Sequence, residues 1–135
     1  MQSAHEASAS KLVVVIDDDP LILDAFGGLL RRWGYRVVAA ASDCVALARL
    51  AEHRQSPDLI VCDYHLAEGK TGIEAIERMH KLFQTPAFLI TGDTAPEHRR
   101  EAHARGYHVL HKPVEPNTLR AMLNRVFKDV VGPAQ

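Results

Sequence analysis

Five short apolar runs punctuate the chain: LVVVI at 12–16, YRVVAA at 35–40, DLIVC at 58–62, AFLI at 87–90 and HVL at 108–110. They are rich in Val, Ile and Leu and mostly do not alternate with polar residues, the pattern of strands buried on both faces. Between them the apolar positions change to helical spacing. Asp19 and Pro20 offer an N-cap and a first-turn proline; Ile22, Phe26, Leu29, Leu30 and Trp33 follow on one face, and Gly34 ends the segment. Ser42 opens a second helix carrying Val45, Leu47 and Leu50. TGIE at 71–74 and TAPE at 94–97 both have the capping-box form, in which hydroxyl and glutamate satisfy each other's end of the first turn. Gly106 closes the helix that TAPE begins, and Leu119, Met122, Leu123, Val126 and Phe127 form the apolar stripe of a last helix.

The resulting order, βαβαβαβαβα, predicts an α/β domain: a parallel sheet with right-handed crossovers and helices on both faces. One helix departs from the pattern. APEHRREAHARG at 95–106 has only alanines to bury, with His98, Arg99, Arg100, His103 and Arg105 around them. It should be lightly packed and mobile, either as a solvated surface helix or as a basic face for a partner.

Length changes this picture little, because 135 residues suffice for a single core. The Ala/Ser-rich stretch 1–10 lacks the apolar centre of a signal peptide and reads as a disordered leader or linker; the domain occupies 11–128, and 129–135 is a loose tail. A formal net charge of -1 offers no electrostatic case for nucleic acid or an anionic membrane. No apolar run approaches the roughly 18 residues needed to span a bilayer. Two cysteines, Cys44 and Cys62, are too few to staple the fold and read as reduced thiols, which suits the cytoplasm.

Candidate chemistry concentrates on one edge. In open parallel sheets ligands bind outside the carboxyl ends of the strands. Asp17 and Asp18 follow the first run, Asp63 the third, Thr91 the fourth and Lys112 the fifth. Three carboxylates gathered on one rim repel one another unless a cation intervenes, and oxygen ligands on a shallow rim suit Mg²⁺. A hydroxyl and an ammonium beside them are what a transferring phosphoryl group needs, with Asp63 as the nucleophile that forms an acyl phosphate. Eight histidines invite a transition-metal reading, but His98 and His103 are five apart, and His108 and His111 three apart on a strand. Neither is a good ligand spacing, so these are surface residues.

The motifs VVVIDDDP, DLIVCDYHL, LITGD and HKPV, in that order, resemble the receiver domain of two-component response regulators over residues 11–128. The resemblance implies a flavodoxin-like (βα)5 doubly wound sheet of strand order 2-1-3-4-5. It implies that Asp63 is the phosphoacceptor, that Asp18 binds Mg²⁺ directly and Asp17 through water, and that the backbone carbonyl of His65 is a further ligand. Thr91 and Lys112 would bind phosphoryl oxygens, and Lys112–Pro113 would be a cis peptide. The donor would be a phosphohistidine on a histidine kinase or phosphotransfer domain, and the domain would catalyse only its own phosphorylation and dephosphorylation. His65, two residues past the acceptor, would tune the access of water to the acyl phosphate.

The chain departs from that pattern in the loop after Asp63, where Ala67 replaces a usual proline and Gly72 stands one residue later than usual. It departs again before Lys112, where one residue is missing and Val109 occupies the position of a common switch aromatic, with Tyr107 nearby. These features, with GYHVLHKPVEPNTLRAML, are similar to receivers fused to hybrid histidine kinases. Downstream partner and stimulus are not encoded in the motifs, and the exposed polar helix leaves a homodimer open. A rival reading takes DDDP as the start of a haloacid-dehalogenase-type phosphatase, with Asp17 as nucleophile and Asp19 as acid/base. Pro20 and the short chain speak against it.

Overall fold

Strand β1 (Leu12–Ile16) is buried at every position, and so are β3 (Leu59–Asp63) and β4 (Ala87–Thr91). The computed structural model describes residues 11–92 and 96–131, with the side chains of 128–131 left aside. β2 (Arg36–Ala40) and β5 (His108–His111) complete a five-stranded sheet of order β2-β1-β3-β4-β5, parallel throughout. This is the doubly wound order that the motifs imply.

The two flanking strands correct the expectation of burial on both faces. In β2 only Ala40 is fully buried, and in β5 only Leu110. An edge strand has one neighbour rather than two, so less helix covers it. Two strands also run further than the apolar pattern suggests: Asp63 is the last residue of β3 and Thr91 the last of β4, each still in register with a partner or directly beside one.

Alternation along the central strands divides the core into two layers. Val13, Val15, Leu59, Val61, Phe88 and Ile90 face α1 (Pro20–Arg32) and α5 (Pro116–Val131), whose Leu30, Leu119 and Leu123 are fully buried. Val14, Ile16, Ile60, Cys62 and Leu89 face α2 (Asp43–His53), α3 (Gly72–His80) and, through Ala102 alone, α4 (Pro96–Ala104). The light packing expected of α4 is therefore present. No described helix is long and apolar enough to cross a membrane. Cys44 is exposed and Cys62 buried, both as free thiols.

The caps follow the sequence. Asp19 accepts from the Leu21 N–H at 3.0 Å, Ser42 from Val45 at 3.2 Å, and Thr71 and Glu74 form the complete capping box. Gly34 and Gly106 end their helices with φ of 96° and 84°, where a Cβ would be strained. The TAPE box falls on Thr94 and Ala95, outside the described residues, as do the leader and the end of the tail.

Candidate functional site

Asp17 leaves the end of β1 with its N–H donating to the Ala40 carbonyl at 3.1 Å, and its carboxylate accepts from the Asp19 N–H at 2.9 Å. That turn holds the Asp17 side chain inward, 4% exposed, while Asp18 points to solvent. Asp63 lies opposite Ile90, and the next N–H, of Tyr64, donates to the Ile90 carbonyl at 2.7 Å. Thr91, one residue beyond Ile90, is also buried. Its carbonyl accepts from the Lys112 N–H at 3.0 Å, where the chain leaves β5 through a cis Lys112–Pro113 bond.

These placements converge. One carboxylate oxygen from each of Asp17, Asp18 and Asp63 lies within 4.8 Å of the others. The Lys112 ammonium is 2.8 Å from Asp63 Oδ1 and 3.9 Å from Asp17 Oδ2. His65, exposed on the same loop, pairs with Thr71 in an isolated antiparallel bridge that folds residues 65–71 back on themselves. The longer loop is absorbed at a 3-10 turn, Ala67–Gly69, where Glu68 and Gly69 both take left-handed φ of 63° and 73°.

Residues 13–124 match the family described as response regulator receiver domain. The chain belongs to that family. A receiver domain protein (CheY-like) from Methanospirillum hungatei JF-1 has the same fold, with a TM-score of 0.79 and 27% identity over 89% of this chain and 95% of that one. The Phyllosphere-induced regulator PhyR of Methylorubrum extorquens is 30% identical over 79 residues, 58% of this chain. The Sensor histidine kinase AruS of Pseudomonas aeruginosa is 35% identical over 127 residues, 89% of this chain. This receiver spans only 30% and 12% of the length of those two relatives. The phosphatase reading finds no support: the match is to a signalling domain, and Asp19 is occupied as the cap of α1.

The charges of the receiver's rim are unbalanced. Burial raises the Asp17 carboxyl above its ordinary range; the Asp19 N–H opposes this, Asp63 adds to it, Lys112 opposes it and Asp18 adds to it. Burial pulls Lys112 downward, yet its hydrogen bond and charge pairing with Asp63, with Asp17 and Asp18 behind, hold it above its ordinary value. Among the described residues one ammonium thus faces three carboxylates, an oxygen-only donor set whose chemistry fits a hard divalent cation such as Mg²⁺.

A carboxyl raised by folding binds its proton more tightly in the native state than in the unfolded chain. Its ionisation therefore costs stability as pH rises from the ordinary carboxylate range through the raised value. Asp17→Asn is expected to raise the metal-free thermal midpoint at neutral pH, with the gain over wild type vanishing in acid. Millimolar Mg²⁺ is expected to raise the midpoint of the wild type, and the same change should abolish that rise. Melting curves at several pH values, with and without Mg²⁺, measure both.

Two contacts beside the site, and a third at the amino end of β5, join segments that the motifs do not connect. Gly72, marked in the sequence only as a glycine one residue later than usual, approaches the Asp63 backbone so closely that an added Cβ would lie 2.3 Å from the Asp63 carbonyl oxygen. His98, expected as a plain surface residue, is half-buried with its ring stacked on Tyr64 at 4.4 Å between centroids. Tyr107 is 3% exposed and its hydroxyl donates to Glu77 at 2.7 Å, while Val109 packs partly buried against the same layer.

Proposed function

We propose that this receiver accepts a phosphoryl group on Asp63 from the phosphohistidine of a histidine kinase or phosphotransfer domain. Asp17, Asp18, Asp63 and the backbone carbonyl of His65 would hold Mg²⁺, which when bound neutralises the carboxylates and the phosphoryl oxygens. The observation that carries the reading is the Lys112 ammonium, 2.8 Å from Asp63 inside a trio of carboxylates.

The Asp63 carboxylate attacks phosphorus as the P–N bond breaks to a donor imidazole already protonated on its other ring nitrogen, so that an acyl phosphate is left on Asp63 and the histidine departs neutral. Lys112 and the Thr91 hydroxyl would meet oxygens of the incoming phosphoryl group. The domain is no enzyme for an outside substrate: it turns over only its own acyl phosphate. To test this, the protein is incubated with acetyl phosphate and Mg²⁺ and weighed intact. The expected result is a gain of one phosphoryl group, mapped to Asp63; no gain, or a gain elsewhere, overturns the reading.

The donor protein would dock beside the rim. Ile22, Phe26 and Leu29 of α1 with Pro113, Val114 and Leu119 line a largely apolar cavity of about 510 Å³ that opens at Asp17 and Lys112. Leu21 next to it is 76% exposed. An apolar helix face of the donor would cover these groups while its histidine reaches Asp63. Leu21→Asp combined with Ile22→Asp is expected to slow transfer from a phosphorylated donor protein by about 10-fold or more, as loss of an interface hot spot does. Uptake from acetyl phosphate, which needs no docking, should be unchanged.

We read residues 11–128 as the receiver unit, working in the cytoplasm, with 1–10 as leader or linker and 129–135 as tail, although α5 carries the helix three residues past that boundary, to Val131. The similarity to AruS over 127 residues supports a receiver of the kind joined to a histidine kinase.

A further inference from the structure

α4 is held to the domain unlike the other helices. Where α3 buries Ile73, Ala75, Ile76 and Met79, α4 buries Ala102 alone. Polar and aromatic contacts at its two ends take the place of an apolar stripe. At the C-terminal end Arg105 pairs with Glu77 of α3 at 2.8 Å, and the Tyr107 hydroxyl donates to the same Glu77 oxygen. At the N-terminal end His98 lies flat on the Tyr64 ring, with planes 22° apart, and His65 meets that ring edge-on at 4.8 Å.

Tyr64 is the residue directly after Asp63. Its ring is 6% exposed and its N–H is fixed to the end of β4 through the Ile90 carbonyl. A displacement of either strand end therefore moves the surface on which α4 rests. Tyr107, the aromatic just before β5, is tied by its hydroxyl to Glu77. The position three before Lys112 carries Val109, which has no ring to turn.

We propose that the Tyr64–His98 stack is the clamp that seats α4 and the link through which phosphorylation of Asp63 repositions it. The proposal rests on the reading of Asp63 as phosphoacceptor. A phosphoryl group adds about −1.5 to −2 charges at the end of β3. As Lys112 and Thr91 close on it, the ends of β3 and β4 shift, the Tyr64 ring shifts with them, and His98 carries α4 along. Coupling of this kind is reciprocal: a partner that draws α4 outward opens the stack and shifts the equilibrium for phosphorylating Asp63. His98 is a positioning residue in this scheme and touches no reacting atom.

Amide hydrogen exchange over residues 96–104 of the full chain tests the link, before and after acetyl phosphate and Mg²⁺, with intact mass followed in the same samples. His98→Ala is expected to speed exchange of α4 in the unphosphorylated protein by about 2- to 10-fold, the worth of one aromatic pair. It should leave the mass gain at Asp63 intact and erase the change in α4 exchange that phosphorylation produces in wild type. His98→Phe, which keeps a ring on Tyr64, should restore that change. Wild-type exchange in unphosphorylated His98→Ala overturns the clamp, and a wild-type response in phosphorylated His98→Ala overturns the link. Absence of a mass gain in wild type instead removes the reading of Asp63, and the link with it. The clamp is still decided by the unphosphorylated samples.

Discussion

Asparagine at position 63 is expected to leave the protein folded and to abolish phosphoryl uptake. Asp63→Asn changes one side-chain oxygen to nitrogen, so the pairing of β3 with β4 and the hydrogen bond from Tyr64 to Ile90 have no reason to move. Lys112 loses the charge of its partner at 2.8 Å, though not an acceptor oxygen, and keeps Asp17 at 3.9 Å and Asp18 nearby. The thermal midpoint should accordingly shift by no more than a few degrees, the equivalent of about 1 kcal/mol at this chain length. The chemistry, by contrast, has no substitute. A neutral amide oxygen is a poor nucleophile, and the site also falls from three carboxylates to two, weakening its hold on a divalent ion. Intact mass after acetyl phosphate and Mg²⁺, beside a melting curve, measures both halves. A variant that still gains a phosphoryl group would place the acceptor on another side chain, and one that no longer melts cooperatively would show that Asp63 is needed for the fold.

What could be read from the sequence was whatever local chemistry decides. Helix starts at Asp19, Ser42 and Thr71 follow from a cap and its neighbours within one turn. The rim cluster is legible for a different reason: in a parallel sheet every strand's carboxyl end lies on one edge, so the residues after four apolar runs must gather there. Contacts between distant segments left no local trace. The stack of Tyr64 on His98 joins residues 34 apart in an otherwise polar helix. Asp43 looks like an ordinary first-turn acid, yet it is 1% exposed and paired with Arg78 of α3 at 2.6 Å. The thin cover of β2 and β5 likewise depends on where those strands sit in the sheet.

Gly72 shows how such a contact sets the site. The first residue of α3 packs against the end of β3 with its N–H donating to the Tyr64 carbonyl at 2.6 Å. A Cβ there would lie 2.3 Å from the Asp63 carbonyl oxygen and 2.8 Å from Leu89 Cδ1. Neither neighbour can give way, since one is strand backbone and the other is a fully buried side chain in β4. The glycine is required for space rather than for an unusual φ, so Gly72→Ala must push α3 away from the strand that carries Asp63. Overpacking of this kind costs about 1–3 kcal/mol and more against backbone, which should lower the thermal midpoint by roughly 5–10 °C. A displacement of about 1 Å at a reacting group costs on the order of 10²-fold in rate, so phosphoryl uptake should slow by that order while still ending at Asp63. Gly28→Ala in α1 is the matched control, because an added Cβ there meets nothing within 4 Å. It should stabilise the helix by about 0.4–1 kcal/mol and leave uptake alone. If Gly72→Ala melts and takes up phosphoryl like Gly28→Ala, the close approach of α3 to β3 does not hold Asp63 in place.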